Sequence, residues 1–208
     1  MAMEIVKAVL VTLGGLGVFL FGMKILGDYL QNAAGDKIKY MLGKVGNNRF
    51  AGVLIGTAVT AVIQSSSATT VMVVGFVNAG IMTLFQATGI IMGANIGTTI
   101  TAQIVALQFL PVTEFFIMLT GIGFFMTMIS KPKVKTAGMI ISGFGMIFAG
   151  LYLMSAAMNT ISQMEEIKSL FVSATNPFLL FFIGLLITGI VQSSSAATGM
   201  LITMAGQG

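Results

Sequence analysis

Gln64-Ser65-Ser66-Ser67 interrupts a long apolar run, and the same four letters recur as Gln192-Ser193-Ser194-Ser195, 128 residues further on. Four hydrogen-bonding side chains in a row are costly in hydrocarbon unless they find partners. Around them the match continues at the same offset without a gap. Gly15 falls on Gly143, Gly17 on Gly145, Gly22 on Gly150, Asn48 on Asn176 and Phe50 on Phe178. Gly56 falls on Gly184, Thr60 on Thr188, Ala68 on Ala196 and Thr70 on Thr198. The chain therefore contains an internal duplication. The two tetrads read as two halves of one binding site for a small polar solute.

The runs that carry the tetrads set the class. The chain is 56% hydrophobic and 8% charged, with no His and no Cys, and its mean hydropathy is +1.01. Several apolar runs reach the ~20 residues that span a bilayer as a helix. Membrane β-barrels show ~10-residue alternating segments instead. The expectation is an all-α, multi-pass integral protein of the cytoplasmic membrane. The net charge of +4 sits in loops and is no sign of nucleic-acid binding. Without Cys or His, zinc sites, disulfides and thiol catalysis are excluded. There is no Gly-x-Ser-x-Gly elbow and no base near either tetrad, so a serine-type enzyme is not supported.

In order, residues 8–26 read as a first span. Residues 28–49, with Ile38, Met41, Leu42 and Val45 at helical spacing, read as an interfacial amphipathic helix. Residues 49–80 are divided by the first tetrad into arms of about 14 residues, or ~21 Å each. That is short of a ~30 Å hydrocarbon core, so a re-entrant helical hairpin is expected. Residues 81–110 form a run interrupted by Gly93-Ala94-Asn95-Ile96-Gly97-Thr98-Thr99, read as a broken or unwound helix. The alternative for its glycines is a small-residue packing motif. Residues 115–129 and 136–158 read as spans on either side of the basic loop of Lys131, Lys133 and Lys135. Residues 159–176, with Glu165, Glu166 and Lys168, read as interfacial and solvated, and residues 177–208 as a second hairpin. Repeat 1 is thus 1–130, and repeat 2 is 131–208, ending where the counterpart is Gly80. Methionines and phenylalanines read as lipid-facing or core filler.

One span before the first hairpin and two after it make three crossings. An odd number inverts the second repeat, and inverted repeats with midplane polar sites are typical of secondary transporters. Charges agree. Lys37, Lys39, Lys44, Arg49, Lys131, Lys133 and Lys135 share the predicted cytoplasmic side with Asp28 and Asp36, while Glu114, Glu165 and Glu166 fall opposite with Lys168 and the N-terminal Glu4 and Lys7. The hairpins then enter from opposite sides and their tips meet.

Between Arg49 and Lys131 there is no basic residue, and residues 169–208 carry no charge. A bound anion is therefore expected to be held by hydroxyls, amides, backbone N–H groups and co-bound cations rather than by Lys or Arg. Helix N-termini just after the tips suit an anion. Carbonyls, Asn and Thr suit sodium, which makes Asn95, Thr98 and Thr99 candidate ligands. Proton coupling is disfavoured, because the site has no carboxylate or histidine.

The paired tetrads together with the Gly-Ala-Asn-Ile-Gly-Thr-Thr segment resemble the type II sodium-dependent phosphate cotransporter family, including its bacterial members, over residues 15–208. Against that family's pattern the second repeat reads as truncated, as a partial chain or one piece of an assembly would be. The resemblance implies sodium-coupled symport of inorganic phosphate, with no cofactor beyond sodium. It implies substrate contacts at Gln64, Ser65, Ser66, Ser67, Gln192, Ser193, Ser194 and Ser195. It also implies sodium contacts shared by Gln64, Ser66, Gln192 and Ser194. Other readings are transport of another oxyanion or a carboxylate, a channel, or a non-transporting sensor or partner subunit. A homo-oligomer or a missing C-terminal half would complete the assembly.

Overall fold

The computed structural model describes residues 2–43, 45, 48–110, 113–162 and 176–206. Among them are nine α-helices: α1 (Ala2–Gly43), α2 (Arg49–Ile63), α3 (Ser66–Asn78), α4 (Leu84–Gly97), α5 (Thr99–Ala106), α6 (Thr113–Thr127), α7 (Pro132–Ser162), α8 (Pro177–Val191) and α9 (Ser194–Ala205). Met3–Gly43, Leu84–Phe109 and Pro132–Asn159 are long and apolar enough to cross a membrane. The run read as a span over 115–129 is the 15-residue α6, about 22 Å at ~1.5 Å per residue. The segment expected to carry Glu165, Glu166 and Lys168 at the interface lies outside the described residues, as does Lys44.

Two sequence expectations are corrected. Residues 28–43 are not a separate interfacial helix but the continuation of α1, which runs unbroken for 42 residues. No proline interrupts it, and its apolar stripe finds a protein core instead of a membrane surface. Ile38 and Leu42, with Val45 beyond the helix, are buried against Val59, Ile63, Val73 and Ile90. The segment 93–99 is broken, at Thr98 between α4 and α5, but it is not unwound. Helical geometry continues through Thr98 (φ −63°, ψ −23°), whose N–H reaches the Ala94 carbonyl at 3.1 Å. Its glycines serve close packing, as the alternative reading had it. A Cβ on Gly93 would collide with the Val53 carbonyl, and one on Gly97 would lie 2.5 Å from the Thr57 carbonyl.

Those contacts run in step, which makes α4 parallel to α2. Arg49 stacks on Phe85 (3.9 Å to the ring centroid), Gly52 meets Gly89, and Gly97 meets Thr57 and Thr60. Helix α3 supplies the return between them. Thr60 Oγ1 donates to Thr69 Oγ1 at 2.9 Å, so the chain reverses at the tetrad. Gly80 (φ 70°) then turns it into α4. The α2–α3 unit therefore begins and ends at the same end of α4.

Helices α1 and α7 pack antiparallel through the duplicated glycines. A Cβ on Gly22 would sit 2.8 Å from the Gly143 carbonyl, and one on Gly15 would sit 2.9 Å from the Gly150 carbonyl. In the duplication Gly15 corresponds to Gly143 and Gly22 to Gly150, so each contact is the counterpart of the other. Phe19 and its counterpart Ile147 are fully buried at this crossing, beside Phe148 and Leu151. The antiparallel register brings the end of α1 bearing Lys37 and Lys39 to the end of α7 bearing Lys133 and Lys135. At the other end, Glu4 and Lys7 line a groove with Ala156 and Ala157.

A methyl group at Gly22 should therefore be tolerated poorly, and one at Gly17, which has nothing within 4 Å, tolerated well. Gly22→Ala is expected to destabilise the protein by ~1–3 kcal/mol through overpacking. Gly17→Ala should be neutral or stabilising by up to ~1 kcal/mol. Thermal unfolding of the two variants in detergent checks the contrast.

Candidate functional site at the two helix breaks

Both tetrads fold in the same way, and the backbone shows why this residue order is needed. Helix α2 ends at Gln64, which takes the left-handed conformation (φ 59°, ψ 21°) and returns its N–H to the Thr60 carbonyl at 2.7 Å. Gln192 does the same after α8 (φ 55°, ψ 24°), with its N–H on the Thr188 carbonyl at 2.8 Å. Each glutamine amide also donates to a carbonyl of its own last turn, Ala61 for Gln64 and Gly189 for Gln192. These bonds satisfy carbonyls that a helix end would otherwise leave bare. The next residue, Ser65 or Ser193, is extended and caps the following helix, accepting from Ala68 or Ala196 at 3.2 Å.

The first intrahelical bonds then run from Thr69 N–H to the Ser65 carbonyl and from Ala197 N–H to the Ser193 carbonyl. The N–H groups of Ser66, Ser67, Ser194 and Ser195 precede them and have no helical acceptor. Each tip thus presents free N–H groups, serine hydroxyls and the positive end of a helix dipole.

The two tips open on one cavity of about 280 Å³. Its walls include Gln64 and Ser65 from the first tip and Ser193 and Ser195 from the second. The remaining wall is α1, through Leu20, Met23, Lys24, Gly27, Asp28 and Gln31. Lys24 overturns the expectation that no basic side chain reaches the site. The stretch free of basic residues begins only after Arg49, and Lys24 is brought in from α1, ahead of that stretch. The close approach of Gly27 to the Ile63 carbonyl, 3.0 Å from a Cβ there, makes this possible. A signal was available: Lys24, Asp28 and Gln31 share one helical face, and Lys24 lies inside the first apolar run.

Ser195 also lines a second cavity of about 210 Å³, with Ser194, Thr198, Asn95, Thr98, Thr99, Thr101 and Ala102. All three candidates from the Gly-Asn segment thus meet the second tip. Thr98 and Thr99 donate their hydroxyl protons to the carbonyls of Ala94 (3.0 Å) and Ile96 (2.7 Å). Their remaining lone pairs suit a hard cation. Thr101 joins the two cavities, since its hydroxyl donates to Gln64 Oε1 at 2.8 Å and both residues are buried. Ser66 and Ser67 line neither cavity, and Gln192 faces an open groove along α8 with Leu180, Gly184 and Thr188.

The helices, the break geometry and the shared cavity define a helical membrane protein with a polar cavity lined in part by duplicated helix ends. Residues 18–156 match the family model described as Na+/Pi-cotransporter. The chain belongs to that family. It is 28% identical to the uncharacterized protein YqeW of Bacillus subtilis, covering 91% of this chain and 61% of that protein. It is 27% identical to the "Putative inorganic phosphate export protein YjbB" of Escherichia coli, covering 94% of this chain and 36% of that protein. It is 38% identical to sodium-dependent phosphate transport protein 2A of Rattus norvegicus, over 46% of this chain and 15% of that protein. The chain thus spans less than two thirds of the length of each of these relatives. No solved structure matches it.

The Gln64–Thr101 bond ties the first tip to α5, and its energy is measurable. Thr101→Val leaves a buried amide oxygen without its donor and should cost ~1–3 kcal/mol. Gln64→Ala should cost a similar amount, and the double variant should cost less than the sum by ~0.5–3 kcal/mol. A double-mutant cycle on thermal unfolding checks this.

Proposed function

We propose that the cavity between the two tips binds inorganic phosphate together with sodium, as part of a sodium-coupled phosphate transporter of the cytoplasmic membrane. The observation that carries this reading is the convergence of both tips on a single cavity, through Gln64 and Ser65 of the first and Ser193 and Ser195 of the second. Helix N-termini are suited to an oxyanion by dipole and donors alike. The oxygen-lined cavity of Asn95, Thr98, Thr99 and Ser194 would take sodium beside it. Cation and anion bound side by side offset one another's desolvation, which is a physical basis for coupling.

On this reading the α2–α3 and α8–α9 units are re-entrant hairpins, and the two repeats are inverted. The antiparallel exchange of Gly15/Gly150 for Gly22/Gly143 contacts supports inversion, because a two-fold axis between α1 and α7 generates that pattern. The gathering of Lys37, Lys39, Lys133 and Lys135 at one end supports a cytoplasmic placement for it. A second reading, net export of phosphate, is favoured by the name that YjbB carries. The same site serves either direction, which the ion gradients decide.

Ser65→Ala and Ser193→Ala remove one cap each, at equivalent positions in different repeats. Each should lower sodium-dependent phosphate flux in proteoliposomes by about tenfold, the equivalent of ~1.4 kcal/mol, while the protein stays folded. Wild-type flux in both variants would remove the basis of the proposal. Imposing the sodium gradient inward or outward distinguishes uptake from export. Competition by sulfate, arsenate and small carboxylates tests the choice of anion.

A further inference from the structure

We infer that Lys24 and Asp28 are the charged half of the first cavity: Lys24 faces the bound oxyanion, and Asp28 faces a sodium ion bound beside it in that same cavity. The inference rests on the reading that the cavity takes phosphate with sodium, and it names residues that neither the tetrads nor the Gly-Asn segment supply. Of the residues lining the two cavities, Lys24 is the one cation and Asp28 the one anion. They stand one helical turn apart on α1, so their side chains leave the same face. That face borders the cavity beside the serine tips, with Lys24 and Asp28 exposed at its edge, because Gly27 lets α1 approach the last turn of α2 at Ile63.

Position argues for use. Lys24 lies within the apolar part of α1, inside the candidate span Met3–Gly43. A charged side chain in a span is costly and ordinarily faces a polar cavity or marks an ion path. The tips provide neutral donors only, so they orient an oxyanion without neutralising it. An ammonium on the facing wall completes that neutralisation, and the carboxylate one turn away offers a charged oxygen ligand to a sodium ion in that cavity, apart from the one beside Asn95, Thr98 and Thr99. The pair thus matches an ion pair of bound phosphate and sodium, each next to its opposite.

The experiment measures transport by the full-length protein in proteoliposomes. Phosphate half-saturation is read at saturating sodium, and sodium half-saturation at saturating phosphate. Lys24→Gln should raise the phosphate value about tenfold or more, the loss expected for a hydrogen bond to a charged group. Its sodium value should stay within about threefold of wild type. Lys24→Arg should keep phosphate within about threefold, because the charge is preserved. Asp28→Asn should raise the sodium value about tenfold and move phosphate less. If Lys24→Gln does not yield folded protein, Lys24→Met keeps the stem and takes its place.

Unchanged phosphate half-saturation in Lys24→Gln overturns the inference. So does an equal shift of both values in Lys24→Gln, Asp28→Asn and the double variant, which is the signature of two residues that only pair with each other. Ser65→Ala separates the role of Lys24 from the phosphate site itself. If it weakens phosphate transport while Lys24→Gln does not, the role of Lys24 falls and the phosphate site stands. If the wild-type protein carries no sodium-dependent phosphate, both fall together.

Discussion

A helix that ends among apolar side chains must find partners for its last carbonyls and for the first N–H groups of the helix that follows. Water cannot serve, so the chain has to. In this protein the requirement is met twice by the same four residues. A glutamine in the left-handed conformation closes the first helix with its backbone N–H and its amide. A serine then opens the next helix with its hydroxyl. What the arrangement leaves over is two N–H groups per tip, pointed away from the helix. The candidate site lies beside that remainder, because the rest of the fold brings Ser65 of the first tip and Ser193 and Ser195 of the second to one cavity.

That convergence depends on close helix contact. The α1–α7 crossing is held by glycines that occupy equivalent positions of the duplication and meet each other's counterparts. Parallel packing of α2 on α4 is likewise possible because Gly56, Gly93 and Gly97 let backbone approach backbone. The duplication is nevertheless not matched throughout. Thr69, which anchors the first tip to Thr60, is replaced by Ala197 in the second. Gln64 is buried and bonded to Thr101, whereas Gln192 is exposed. Gly56 is clasped by Ile90, whereas its counterpart Gly184 has nothing within 4 Å. Among the described residues, α8 has no equivalent of α4 to pack against. The second tip is therefore held mainly through α9, by α5, α7 and the Phe19 ring near Gly199.

The sequence disclosed what depends on local pattern. The tetrads sit in apolar runs too long to be loops and too short on each side to span, so the breaks and arm lengths are legible in the residue order itself. Caps at Asn48 and Asn176 lie where the duplication aligns them. What escaped depends on tertiary contact. The amphipathic stripe of residues 38–45 looks the same whether it meets headgroups or a core, and here it meets Val59, Ile63 and Ile90. Glycines at 93 and 97 weaken a helix in isolation, but backbone packing against α2 holds it helical. Lys24 escaped because it lies 40 residues before the tip it joins, and only the α1–α2 contact at Gly27 brings them together.

The central claim is that two serine tips form one anion site and not two. Equilibrium dialysis of radiolabelled phosphate against the purified protein, in sodium or in potassium, tests it most directly. The account predicts one phosphate per chain in sodium and far weaker binding in potassium. Two phosphates per chain, or binding indifferent to the cation, would contradict it.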